Sequence, residues 1–199
     1  MKSLVNFINE SENDVMDSET VKAYFDDIHK GLKTAINKAL KETNNIVYDL
    51  EKTLGNDAGI ILDKSQVYDY LVEAKFFDNL NVGFKYDKDK SPSRGNTDYV
   101  CTQTGFKDKL RNKFSAKDFS IQVKTSILGS KAFITQNYSG IDEPSFYVLI
   151  SCKRNGRNIS LDQAWFGYLT PEDWSKFSHQ AQLHTSIFAK KLNKTIFEI

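Results

Sequence analysis

Histidine, cysteine and proline are scarce in this chain of 199 residues, which has three histidines, two cysteines and three prolines. Cys101 and Cys152 both lie in apolar runs typical of strands, so we interpret them as reduced core residues. His29, His179 and His184 lack the spacing of metal ligands. His179 and His184 are five residues apart, which does not place them on one helix face. A zinc site and a disulfide-stabilised secreted domain are therefore not expected.

Long apolar segments are also missing, since no run approaches the roughly 20 residues that span a bilayer. The chain begins with Met1 to Asn6, becomes acidic from Glu10 onward and lacks the apolar core of a signal peptide. We therefore expect a cytoplasmic protein without membrane association. What is present suits a folded domain, because 40% of the residues are hydrophobic and 13% are aromatic.

The charge is almost balanced over the whole chain, at +1, but it is unevenly distributed. From Lys85 to Lys131 there are eleven Lys or Arg against five Asp and no Glu, a local excess of six positive charges. The acidic residues concentrate instead between Glu10 and Asp27. A lysine-rich solvated loop is one explanation; we favour an electrostatic surface for nucleic-acid phosphates.

Apolar residues near the N-terminus recur at steps of three and four from Val21 to Leu40. This spacing predicts an amphipathic helix of about 22 residues, with Asp17 or Ser18 as its N-cap. We expect Asn44 and Asn45 to weaken the helix before a second helical stretch from Ile46 to Leu54. Residues 1–60 are predicted to form a helical extension, which is either part of the same domain or a layer for dimerisation or recognition. Residues 61–199 are predicted to form the core.

The core sequence predicts a helix from Ser65, followed by several strands. The continuous apolar run Phe146–Cys152 is typical of a central strand buried on both faces. We expect a helical crossover within Leu128–Tyr138 and a helix beginning at Thr170-Pro171. The other predicted strands are Leu80–Tyr86, Asp98–Thr102, Phe119–Ser126 and Ala164–Leu169. The predicted class is α/β or α+β, a central mixed β-sheet flanked by helices.

The strand Phe119–Ser126 carries the most informative pattern. Its apolar and polar residues alternate, so Gln122 and Lys124 should project from one face. Asp98 begins the preceding strand. Phosphodiester hydrolysis needs an activated water and positive charge near the phosphate, which a Mg²⁺ ion and a lysine can supply. Asp98, the Gln122 amide oxygen and the Val123 carbonyl would bind the metal, and Lys124 would act on the phosphate or the water.

Asp98 followed by Gln122-x-Lys124 on the next strand resembles the PD-(D/E)XK nuclease superfamily, the restriction-endonuclease-like fold. The resemblance spans roughly residues 65–174. It implies a helix, a three-stranded meander, a crossover helix and a further strand. It also implies Mg²⁺-dependent cleavage of DNA, with Mn²⁺ as an alternative ion.

The chain departs from the superfamily pattern at the first acid of the motif, where it has Gln122. Gln-x-Lys occurs in some branches, including methylation-dependent restriction enzymes of the Mrr type, whereas elsewhere such a change accompanies lost activity. Glu73 lies on the helix before the meander, where several members place an extra acidic ligand. It could equally be a solvent-facing helix residue.

These observations predict a Mg²⁺-dependent DNA endonuclease that acts as a homodimer, with Asp98, Gln122 and Lys124 as its catalytic residues. The alternative is a binding module for nucleic acid or protein on a degenerate nuclease scaffold. An immunity or regulatory factor built around the long N-terminal helix is a third possibility. The residues predicted to contact DNA are Arg94, Lys107, Lys109, Arg111, Lys113 and Lys131.

Overall fold

The computed structural model describes residues 16–62, 65–80, 84–86, 99–101, 120–127, 132–135, 141, 144–177 and 180–199. Helix α1 begins after the N-cap Asp17, whose carboxylate accepts a hydrogen bond from the Thr20 N–H at 2.8 Å. It ends at Gly55, where φ is +55°. The helices are α1 (Ser18–Leu54), α2 (Ala58–Leu62), α3 (Ser65–Asn79) and the short α4 (Phe188–Lys191).

Nine strands form two sheets within the described part of the chain. The larger sheet has the order β1-β2-β3-β5-β6-β9, and the smaller one the order β4-β8-β7. The strands are β1 (Phe84–Tyr86), β2 (Tyr99–Cys101), β3 (Ser120–Ser126), β4 (Ala132–Thr135), β5 (Ser145–Asn155), β6 (Asn158–Leu169), β7 (Ser175–Lys176), β8 (Ala181–His184) and β9 (Ile196–Glu198).

The larger sheet is mixed. Strands β1, β2 and β3 form an antiparallel meander, β3 and β5 run parallel, and β5, β6 and β9 are antiparallel. Strands β5 and β6 are joined by a tight turn at Gly156, which has a φ of +62°. The predicted class, helices with a central mixed sheet, is confirmed.

Two hydrophobic cores lie on opposite faces of the larger sheet. On the first face, α1 and α3 cover alternate residues of the central strands, and the Tyr24 ring lies 4.5 Å from the Phe146 ring. On the second face, the smaller sheet and α4 cover the intervening residues, with the Trp165 ring 5.0 Å from the Phe188 ring. Strand β5 is therefore buried on both faces, as the run Phe146–Cys152 predicted.

Three sequence predictions about helices are wrong. Helix α1 is continuous over 37 residues and passes through Asn44 and Asn45 without a break. The segment predicted as a helical crossover, Leu128–Tyr138, contains strand β4, which pairs with β8. The helix predicted at Thr170-Pro171 is a single 3₁₀ turn, Pro171–Asp173.

The physical reasons for these differences lie in contacts distant in sequence. The Asn44 side chain donates to the Ile159 carbonyl and accepts from the Ile159 N–H, both at 2.9 Å, so its polar groups do not compete with the helix backbone.

The described helices include none with a segment long and apolar enough to cross a membrane.

Candidate functional site

Strand β3 presents Gln122 and Lys124 on the sheet face opposite α1 and α3. Ile121 and Val123 pack in the core on the helical face, so the residues between them project the other way. The register agrees, because Gln122 aligns with Tyr147, whose side chain belongs to the second core. The sequence prediction that these two polar side chains share a face agrees with this geometry.

The two side chains differ in their contact with solvent. Gln122 is only 5% exposed, whereas Lys124 is half-buried. Burial of an amide requires hydrogen-bond partners, and a buried amide costs less free energy than a buried carboxylate. A lysine at the border of the core can pack its aliphatic stem against the protein and present its ammonium group at the surface.

Glu73 lies at the edge of β3, one residue from Lys124. Its Oε1 accepts a hydrogen bond from the Thr125 N–H at 3.1 Å, and its side chain is half-buried. Helix α3 brings this carboxylate to the strand from a position 52 residues away in sequence. Glu73 is therefore a half-buried residue that contacts the β3 edge.

The Val123 carbonyl points toward the same edge. In an extended strand, the N–H and C=O of one residue point to the same side of the strand, and those of the residue two positions away point to that side as well. The Thr125 N–H faces the Glu73 carboxylate. The Val123 carbonyl and the Glu73 carboxylate therefore bring two oxygen donors to one side of β3.

Strand β2 approaches β3 beside Gln122. Tyr99 aligns with Ile121 and Val100 with Ser120 in the antiparallel ladder. Asp98 directly precedes Tyr99 in the sequence, but Asp98 itself lies outside the described residues. Tyr99 and Ile121 are thus aligned with each other, and each is the sequence neighbour of a predicted metal ligand: Asp98 precedes Tyr99, and Gln122 follows Ile121.

The residues predicted to contact DNA also lie outside the described residues. These are Arg94, Lys107, Lys109, Arg111, Lys113 and Lys131. Within the described ranges, His, Cys, Asp and Glu side chains form no group of three or more that could bind a metal ion. The predicted metal site therefore depends on oxygen donors of Gln122 and Val123 together with carboxylates.

Asp69, which is not among the residues predicted from the sequence, lies one helical turn before Glu73 on the same side of α3. Its Oδ1 is buried and has no hydrogen-bond partner within the described structure. Burial raises the pKa of Asp69 from 3.8 to about 7. The sequence signal was an acid placed directly after Tyr68, in a helix whose apolar residues face the core.

Cys152 lies close enough to Asp69 for the two groups to interact electrostatically. Burial, followed by the negative charges of Asp69 and Asp162, raises the pKa of the Cys152 thiol to about 12. The thiol is therefore neutral at physiological pH and is a poor nucleophile. This agrees with the interpretation of Cys152 as a reduced core residue.

Comparisons of the chain with protein-family models, curated proteins and solved structures found no match.

Proposed function

We propose that this chain is a Mg²⁺-dependent DNA endonuclease of the PD-(D/E)XK type, in the variant with Gln-x-Lys. The observation that carries the proposal is the position of Glu73. Its carboxylate bonds to the β3 edge one residue from Lys124, and the Val123 carbonyl points the same way. The β3 edge thus offers a carboxylate and a carbonyl, and Lys124, which lies between Val123 and Thr125, projects from the sheet face opposite α3. These are the kinds of group that a metal-dependent phosphodiesterase uses.

The topology gives independent support. A helix, α3, is followed by an antiparallel three-stranded meander and then by a strand parallel to its third member. The same succession is what the sequence resemblance implies for the nuclease core. The crossover differs, because strand β4 lies where the resemblance implies a helix.

The available donor atoms suit a hard cation. Glu73, Val123 and Gln122 offer carboxylate, carbonyl and amide oxygens, and Asp98 would add a second carboxylate. Such oxygen ligands favour Mg²⁺ or Mn²⁺ over zinc, which prefers nitrogen and sulfur ligands. When bound, the metal would polarise the phosphate and activate water.

Lys124 has the role of stabilising negative charge on the phosphate. Its ammonium group would lie near the phosphate, where positive charge favours the transition state. In this proposal, the neutral Gln122, which is 5% exposed, would offer its amide oxygen to the metal without adding a buried charge. A cut in both strands of a duplex requires two such sites, which favours a homodimer.

Plasmid nicking with Mg²⁺ or Mn²⁺ tests the proposal. We expect Lys124→Ala and Asp98→Ala to lower the nicking rate by about 100-fold or more, because each removes charge used in the transition state. Lys176→Ala, which changes an exposed lysine on β7, is the matched control and should retain the wild-type rate. Circular dichroism must show that the variants are folded. Wild-type nicking by folded Lys124→Ala would refute the assigned role of Lys124.

The burial of Gln122 favours a second candidate, a non-catalytic nucleic-acid-binding module on the same scaffold. A 5% exposed amide at the position of the first acid reduces the number of carboxylates available to a metal. This candidate predicts duplex binding with no nicking at any Mg²⁺ or Mn²⁺ concentration. Metal-dependent nicking that disappears in Asp98→Ala would exclude it.

A further inference from the structure

The middle of helix α1 has a strongly basic exposed side. Between Ile28 and Lys41 the sequence contains four lysines and no Asp or Glu. At 100° per residue, all four lysines fall within an arc of about 140° on one side of the helix. All four are exposed; they are Lys30, Lys33, Lys38 and Lys41, and we call them the α1 basic stripe.

The charges of this stripe are not neutralised within the described structure. The ion pair on the first part of α1 joins Lys22 to Asp26, before the stripe begins. None of the four lysines of the stripe takes part in an ion pair with a described carboxylate. Glu42, which follows the stripe, interacts electrostatically with Lys75 on α3. Among the described residues, the stripe therefore presents four positive charges that have no ion-pair partner.

The dimensions of the stripe match a nucleic-acid backbone. Lys30 and Lys41 are eleven residues apart, about 16–17 Å along the helix axis. Duplex DNA carries about one negative charge per 1.7 Å of its axis, so several phosphates lie within that length. Of the exposed polar side chains between the lysines, Asn37 can donate to a phosphate, whereas the Thr34 hydroxyl donates to the Lys30 carbonyl at 2.9 Å.

We propose that the α1 basic stripe binds the phosphate backbone of duplex nucleic acid without reading its sequence. The stripe lies on the helical side of the larger sheet, whereas Gln122 and Lys124 project from the opposite face. It is thus a second contact surface, separate from the proposed cleavage site. The proposal does not depend on nuclease activity.

The α1 basic stripe itself contains no apolar anchor. From Lys30 to Lys41, no large hydrophobic residue is exposed among the described side chains; the next exposed one on this side of α1 is Tyr48, seven residues beyond Lys41. A helix that binds in a membrane interface needs such residues to insert between the lipids. An interface with an acidic protein would normally contain an aromatic or aliphatic anchor as well.

Fluorescence anisotropy with a labelled duplex of about 20 base pairs, in EDTA to prevent cleavage, tests the proposal. We expect the variant K30Q/K33Q/K38Q/K41Q to bind at least tenfold more weakly than wild type. The slope of log affinity against log salt concentration should decrease in magnitude by about 3 to 4, because about 0.9 counterion is released for each phosphate that a lysine neutralises. Glutamine has a helix propensity similar to that of lysine, so α1 should remain intact, as circular dichroism would verify.

Two controls separate a defined surface from general charge. The variant K52Q/K176Q/K190Q/K194Q removes the same charge from exposed lysines outside the stripe and should lose less than twofold in affinity. The variant K30R/K33R/K38R/K41R should bind like wild type, because the charge is retained. Equal losses in both glutamine variants would overturn the proposal, as would an unchanged affinity in the stripe variant. A loss confined to binding of phosphatidylserine vesicles, with duplex binding unchanged, would overturn it in favour of a membrane surface.

Discussion

Among the described residues, Asp69 has an environment that disfavours its charged form. It projects from α3 toward the strands, where its Oδ1 is buried without a hydrogen-bond partner in the described structure. Desolvation alone raises the pKa of Asp69 from 3.8 to about 7. The carboxyl group therefore changes charge close to neutral pH, next to Glu73 at the proposed site.

Burial of Asp69 should make the stability of the protein depend on pH. The folded protein holds the Asp69 proton more tightly than the unfolded chain, so the contribution of this group to stability falls as pH rises from about 4 to about 7. Asp69→Asn should remove that dependence and stabilise the protein at pH 8. A difference of one in pKa corresponds to about 1.4 kcal/mol, and partial contact with water reduces the total, so roughly 1–2 kcal/mol is expected.

Urea unfolding at pH 5 and pH 8 measures this effect. The stability gain of Asp69→Asn should be larger at pH 8 than at pH 5. Asp78→Asn, on the exposed side of the same helix, is the control, and it should not become more stabilising at pH 8. An equal effect of Asp69→Asn at both pH values would show that the carboxyl group does not titrate in this range.

At the scale of elements, α1 stabilises the exposed edge of β6. Strand β9 pairs with β6 only from Trp165 to Gly167, so the first half of β6 has no strand partner on that side within the described structure. The Asn44 amide replaces a neighbouring strand at this position, because it hydrogen-bonds to both the N–H and the C=O of Ile159. Glu51, on the same helix, bonds to Arg157 at 3.1 Å. Helix α1 thereby protects a sheet edge that could otherwise pair with another chain.

Asn44→Ala should therefore destabilise the protein by roughly 1–3 kcal/mol, because the N–H and C=O of Ile159 lose their partner. Asn45→Ala provides the matched control on the adjacent, exposed residue. It should be neutral or slightly stabilising, since alanine favours helix more than asparagine does. Thermal unfolding followed by circular dichroism compares the two variants. Similar melting temperatures would indicate that the Asn44 contacts contribute nothing to stability.

At the scale of the molecule, one sheet joins two cores. Helix α1 contributes many of the buried residues on one face, while both tryptophans, Trp165 and Trp174, belong to the core on the other face. The residues of β5 alternate between the two cores. Loss of packing on one face should therefore be transmitted to the other through the shared strands.

Leu32→Ala tests this coupling. Leu32 is fully buried on α1, so the substitution should cost about 2–5 kcal/mol, whereas Leu54→Ala at the exposed end of the same helix should cost about 0.5 kcal/mol or less. Circular dichroism reports mainly on the helices, and tryptophan fluorescence reports on the opposite core. Both signals should change at the same urea concentration in the wild type and in Leu32→Ala. Separate transitions would mean that the two cores unfold independently.

Local periodicity was sufficient to predict many elements of the structure. The steps of three and four from Val21 to Leu40 predicted the first part of α1, and the apolar run Phe146–Cys152 predicted a strand buried on both faces. The alternation around Gln122 predicted which residues of β3 face together. These features depend on neighbouring residues, because the repeat of a helix or strand is complete within a few positions.

Contacts between distant residues decided the rest. The packing of α3 against the sheet places Glu73 at the β3 edge. Asn44 is accommodated within the helix because its amide hydrogen-bonds to Ile159, 115 residues later. Strand β4 is four residues long, too short for its periodicity to distinguish it from a helix, and its pairing with β8 fixed its conformation. The sequence alone determined the helices and strands whose repeat extends over many residues, such as the first part of α1 and strand β5, and it supplied the candidate site residues. The tertiary structure decided which of the described side chains meet, because the free energy of burial and pairing depends on partners that are remote along the chain.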